Sequence, residues 1–188
     1  MGILSLQDIS LQPIFAGRKQ VESWWNFKNV ISPFYRLYYI EDGEARVCVG
    51  DEWYDLSPGQ LFLIPKFTYH SYECRDTMSH YYICFFDDLK QNGLLRPDKL
   101  IFQVQAQSYD LTLVQRFMQL NPGMELVNVD PKVYTRAVYD EISVQSQTRN
   151  GMESYGILMQ LFSRFITKES MGQYVESAAN GKFDGIMN

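Results

Sequence analysis

Thirteen consecutive residues, Pro58-Gly59-Gln60-Leu61-Phe62-Leu63-Ile64-Pro65-Lys66-Phe67-Thr68-Tyr69-His70, restrict the fold of this chain more than any other stretch. Pro-Gly turns the backbone, Leu61 to Ile64 is too short and too apolar to be anything but a buried strand, and Pro65 ends it. His70 follows five residues later. A chain that turns, crosses a core and sends a polar side chain back toward the interior within so few residues forms the rim of a small β-barrel.

The surrounding pattern agrees. From about residue 12 to 105 the period is two, and the segments Phe34 to Ile40, Ala45 to Gly50, Glu52 to Leu56, Leu61 to Ile64, Tyr69 to Cys74, His80 to Phe86 and Lys99 to Val104 read as strands. Glu41-Asp42-Gly43, Gly50-Asp51, Ser57-Pro58-Gly59 and Cys74-Arg75-Asp76 supply turns. Many short strands at this spacing predict an antiparallel sandwich or small barrel.

After residue 105 the period becomes helical. Leu111, Val114, Phe117 and Met118 mark one amphipathic helix, stopped by Asn121-Pro122-Gly123. Asp130-Pro131 opens a second, with Tyr134, Ala137, Val138 and Ile142 on its apolar face. A third spans about 152–168, with the stripe Tyr155, Leu158, Leu161, Phe162, Phe165 and Ile166. The second and third helices, separated by a glycine turn, suggest an antiparallel hairpin. The stripe is expected to pack on the barrel, to meet a second chain, or both, and so marks Tyr155, Leu158, Leu161, Phe162 and Phe165 for dimerisation.

Composition excludes several functions. The net charge of -5 leaves no basic footprint for nucleic acid. No apolar run approaches the roughly 18 residues of a membrane span, and no signal peptide opens the chain, so a cytoplasmic protein without a membrane partner is expected. Cys48, Cys74 and Cys84, three in number with no Cys-x-x-Cys, fit reduced thiols. Serine in a nucleophile elbow and a glycine-rich phosphate loop are both missing. His70 and His80 are the only histidines, too few for a tightly held metal, so no metal, no cofactor and no catalytic residues are expected.

Recognition without chemistry remains. Strand residues of equal parity share a face, which groups Arg36 with Tyr38, His70 with Tyr72, and His80 with Tyr82 and Cys84. Those groups suit a polar small molecule such as a sugar, with rings against C–H faces and donors on hydroxyls. The opposite parity would turn Tyr35, Leu37, Tyr39, Ser71, Tyr81 and Ile83 inward. The first set is preferred because it explains why His70 follows the Pro65 turn.

The Gly59-x5-Pro65-x4-His70 spacing resembles the second motif of the cupin barrels, with Phe67 where those barrels usually have glycine. The stretches Trp25-Asn26-Phe27-Lys28-Asn29-Val30, Pro33 through Gly43, Leu56 through Cys74, and His80-Tyr81-Tyr82-Ile83-Cys84-Phe85 together resemble the N-terminal sensor domain of AraC-family transcriptional regulators over about residues 20 to 90. The resemblance implies a mostly β protein with α: a cupin-like double-stranded β-helix, or jelly-roll, barrel with an N-terminal arm over 1–105, followed by an antiparallel helical hairpin over 106–168 that makes a homodimer. Residues 169–188 would be a linker and the start of a helix-turn-helix domain, Phe183 to Asn188 resembling its first helix; DNA would be bound only through that domain, the rest of which is expected to be missing here.

The resemblance also implies a small effector, a carbohydrate, contacted around Asp42, Tyr72, His80 and Tyr82. Asp42 stands where the family's sugar site has an arginine, and Arg36 on the same face could substitute. Trp24 and Trp25 lie where a lid-like arm reaches the ligand. Binding would order that arm across the barrel mouth and reorient the helices. The alternatives are a metal-dependent cupin enzyme acting on a sugar or related molecule, and a stand-alone carbohydrate-binding barrel.

Overall fold

The computed structural model describes residues 10–87, 97–134 and 149–170. The described residues form eight strands: β1 Leu11–Glu22, β2 Tyr35–Gly43, β3 Ala45–Val49, β4 Glu52–Leu56, β5 Gln60–Ile64, β6 His70–Glu73, β7 Thr77–Asp87 and β8 Gln103–Gln105. Among the described residues two helices follow, α1 Asp110–Leu120 and α2 Arg149–Phe162, with 3-10 turns at Pro97–Lys99, Pro131–Val133 and Ser163–Phe165. The expected strands from β2 to β7 are present to within a few residues. The expected strand over Lys99 to Val104 is shorter, a turn followed by β8.

One sheet has the order β1-β7-β2-β5-β8 and the other β4-β3-β6, and every pairing is antiparallel. The chain passes from one sheet to the other between β2 and β3, β4 and β5, β5 and β6, and β6 and β7. The stretch 25–30 lies along the free edge of β6, through Tyr72 N to Phe27 O (2.8 Å), Cys74 N to Trp25 O (3.2 Å) and an antiparallel bridge between Val30 and His70. This connectivity is the jelly roll expected of a cupin-like barrel. Only glycine fits the β2–β3 turn, since Gly43 has φ +72° and a Cβ there would lie 2.2 Å from Thr77 O. Phe67, at the expected glycine position, adopts φ +55° itself, is 62% exposed, and donates its N–H to Ser32 O at 2.7 Å.

Part of the predicted N-terminal arm is sheet. β1 pairs with β7 along its whole length, with a register shift between Pro13 and Phe15. The proline sits at that irregularity, where its missing N–H is tolerated. The exposed run Arg18-Lys19-Gln20 interrupts the apolar alternation that would have marked the strand.

The five-stranded sheet is buried on both faces. Val47, Val49, Leu56, Phe62, Ile64 and Met78 pack inside the barrel, while Tyr35, Leu37, Leu61, Leu63, Ile83 and Phe85 face Val114, Phe117, Leu158, Leu161, Phe162 and Phe165 of the helical layer. Arg116 pairs with Glu153 (2.7 and 3.0 Å), Asn121 Nδ2 donates to Ser154 Oγ (2.8 Å), and Arg164 meets Asp110 (3.3 Å). The C-terminal end of α1 therefore lies beside the start of α2, and the pair is antiparallel.

One expected pairing falls outside the described residues, and one expectation is corrected. The antiparallel pair joins the first and third expected helices; most of the second, including Ala137, Val138 and Ile142, lies outside the described residues, as do residues 171–188. Leu158, Leu161, Phe162 and Phe165 are each 0% exposed inside the chain's own core, which leaves them no area to bury against a second copy. Tyr155 remains partly exposed.

Candidate functional site

A cavity of about 150 Å³ opens inside the barrel. β2 contributes Arg36 and Tyr38, β6 Tyr72, and β7 His80 and Tyr82; cross-strand pairing of Arg36 with Cys84, Tyr38 with Tyr82 and Ile40 with His80 places these β2 and β7 residues on the inner face. Trp24 stands at the rim, 41% exposed, and Trp25 is buried with its ring stacked on Tyr72 at 4.4 Å. Seven of the nine residues expected at a ligand thus line one space.

His70 and Cys84 do not line it. His70 sits behind Tyr72. Its Nδ1 lies 2.8 Å from Thr68 O, an atom that can only accept, so Nδ1 carries the proton and Nε2 accepts from the Tyr72 hydroxyl at 2.8 Å. Tyr72 in turn accepts from Tyr38 at 3.1 Å. Burial lowers the His70 pKa to about 4, keeping the ring neutral and this relay in one orientation. His70 positions Tyr72. Asp42 is exposed and away from the cavity.

His80 is the opposite case. Its side chain lines the cavity, the residue is 4% exposed, and Nδ1 is buried without a hydrogen-bond partner. Burial lowers its pKa to about 3, so the imidazole is neutral. A buried polar atom left unpaired costs roughly 1–3 kcal/mol, and such atoms are few in native proteins.

Arg36 is 3% exposed and stays charged. Nε and Nη2 donate to Ser32 Oγ (3.2 and 2.9 Å), and the guanidinium lies over the Phe34 ring at 4.8 Å. None of the ion pairs among the described residues includes it. Burial pushes the pKa values of Tyr38 and Tyr72 up, and that of Cys84 up to about 11, so these neighbours are neutral.

The cavity is completed by residues that the sequence did not mark for a ligand. Glu125, Leu126, Asn128, Val129, Pro131 and Tyr134 complete the lining together with Arg18, Lys19 and Val21 of β1. The crossing segment is held at three points. Ala16 N donates to Met124 O (2.8 Å), Leu126 N donates to the Tyr82 hydroxyl (2.9 Å), and Tyr134 exchanges hydrogen bonds with Asn128 while its ring meets Phe15 at 5.1 Å. Gly17 makes room for Tyr82, since a Cβ there would fall 2.6 Å from the Tyr82 oxygen. A sequence signal did exist: four apolar residues, Met124, Leu126, Val127 and Val129, in a stretch with no helical or strand period between Pro122 and Pro131.

The residues do not fit a cupin metal. The inward positions of β3, where two histidines would be needed, are Val47 and Val49, and both His70 nitrogens are engaged. Among the described residues no cluster of three or more His, Cys, Asp or Glu could hold an ion. No described helix is long and apolar enough to cross a membrane.

Residues 12–88, from β1 to just past β7, match the family model of the AraC-like ligand binding domain. No curated protein matches the chain. Similar solved structures include Clostridium difficile EutQ, 16% identical over 41% of this chain and 67% of that one, TM-score 0.34. The cupin domain of Schizosaccharomyces pombe Cnp3 is 17% identical over 45% and 69%, TM-score 0.36. A mutant of Bacillus subtilis oxalate decarboxylase OxdC is 20% identical over 41% and 22%, TM-score 0.33.

Proposed function

We propose that this chain is the ligand-sensing domain of an AraC-type transcription regulator, and that its barrel binds a small polar molecule, of the size of a simple sugar, without a metal. The observation that carries this reading is His80, a residue of the cavity lining whose buried Nδ1 has no hydrogen-bond partner, within the stretch that matches the AraC-like ligand binding model. A ligand hydroxyl there would satisfy a buried atom that the protein leaves unpaired. The hydroxyls of Tyr38, Tyr72 and Tyr82 add three further polar contacts beside the flat Trp25 ring. The reading is non-enzymatic. Cys84, the buried thiol of the inner face, does not line the cavity and is kept protonated by burial.

A route from ligand to helices supports a sensing role. Along β2 and β7, inward residues such as Tyr38 and Tyr82 alternate with Leu37 and Ile83, which pack on α1 and α2. A tightly packed sheet passes strain from one face to the other. Tyr82 also anchors the crossing segment, so occupancy of the cavity bears on the chain leading to α2. Homodimerisation and DNA binding through a further helix-turn-helix domain belong to this reading. With the α2 stripe spent inside the chain, the dimer contact would use other residues.

Thermal unfolding of the domain against a panel of polar metabolites tests the binding half. A raised midpoint with one chemical class is expected, and a flat panel counts against a sensor. For the regulatory half, that ligand should change the DNA occupancy of the complete regulator; unchanged occupancy would remove the regulator reading.

A further inference from the structure

The electrostatics of the cavity select among polar ligands, given the sensor reading on which this inference rests. Arg18, Lys19 and Arg36 are cations in its lining against a single carboxylate, Glu125, in a chain whose net charge is -5. Arg18 is already paired with Glu41 at 2.6 Å and half exposed, so it contributes little. Arg36 differs. It is buried, no carboxylate among the described residues pairs with it, and the tyrosines around it are neutral. Buried charges are ordinarily paired because desolvating an ion costs several kcal/mol that water no longer returns.

We propose that the cavity is built for a small organic monocarboxylate, whose anion pairs with Arg36 and whose hydroxyl or ring body meets His80 and the tyrosines. One buried guanidinium balances one carboxylate, whereas a dianionic phosphate would leave a net negative charge among neutral phenols. With Nε and one Nη2 N–H on Ser32, the remaining N–H groups of Nη1 and Nη2 form a fork that matches a carboxylate in geometry. Size sets a second limit. A cavity of about 150 Å³ is of the size that holds benzene, so the part of the ligand inside it is small. Neutral His80, with Nδ1 unpaired, suits a hydroxyl better than a second anion.

Matched probes separate charge from shape: 4-hydroxybenzoate with 4-hydroxybenzamide, and ribonate with ribose, titrated calorimetrically into the wild-type chain and into Arg36→Met. In the wild type the acid of at least one pair should bind tenfold or more tightly than its neutral partner, and Arg36→Met should abolish that preference. The variant keeps side-chain bulk while removing a buried charge; should it fail to fold, the wild-type pairs decide alone. Neutral partners binding as well as the acids would overturn the carboxylate and leave the sensor standing. No heat from any probe would count against both. Acid-selective binding that leaves DNA occupancy of the complete regulator unchanged would keep the carboxylate and remove the regulator.

Discussion

The hydroxyl of Tyr82, on the inner wall of β7, accepts the backbone N–H of Leu126 at 2.9 Å and so pins the segment that crosses the barrel mouth. The same ring lines the cavity, and it can lie there because Gly17 of β1 has no side chain. Wall and cover therefore share one residue.

Tyr82→Phe removes this bond while keeping the ring. A loss of about 1 kcal/mol of local stability is expected. Amide hydrogen exchange at Leu126 should accelerate, and proteolysis should begin at Val127, which is 96% exposed. Unchanged exchange at Leu126 would show that the other two anchors alone hold the segment.

Leu158→Glu puts a carboxylate where exposure is 0%. The expected outcome is destabilisation by about 4 kcal/mol or more, seen as a lower urea midpoint. A stable protein that merely sediments as a smaller species would instead assign this face to an interface between copies.

The two histidines predict an acid sensitivity. Their folded pKa values, about 4 for His70 and about 3 for His80, lie below the ordinary 6.5. The unfolded chain therefore binds protons between these limits and the folded chain does not. Their stabilising contribution is complete above pH 6.5 and declines as pH falls, by about 1.4 kcal/mol per pH unit for each histidine. Urea unfolding at pH 7.5, 6 and 5 reads this directly, above most of the carboxylate range. A flat profile would mean that both rings gain a partner when protonated.

Much of the barrel was legible because its strands are short and separated by turns that only glycine or proline makes well, as at Gly43 and Pro58-Gly59. Which parity faces the cavity was harder. In β7 every residue from Met78 to Phe86 is buried, so hydrophobic alternation cannot distinguish the ligand face from the helix face. The preference rested on His70 following the Pro65 turn; in the structure Arg36, His80 and Tyr82 of that parity line the cavity, where an unpaired cation or imidazole is tolerated better than under packed helices.

His70 shows where spacing stops being informative. The turn at Pro65 does deliver it to the interior, yet Tyr72 lies two residues on, on the same face, and takes the cavity position. No local pattern ranks one above the other. The crossing segment was missed for a related reason: its contacts with β1 and β7 join residues some 44 or more positions apart. The α2 stripe announced that it would be covered, and nothing in its period said by what.

Because the chain has only two histidines, their side-chain nitrogen chemical shifts test the cavity assignment most directly. They would be recorded with and without any ligand that stabilises the fold. His80 should shift as its Nδ1 gains a partner, while His70, engaged by Thr68 and Tyr72 behind the wall, should keep its tautomer and move little. A bound ligand that shifts His70 and leaves His80 unchanged would contradict the site described for this barrel.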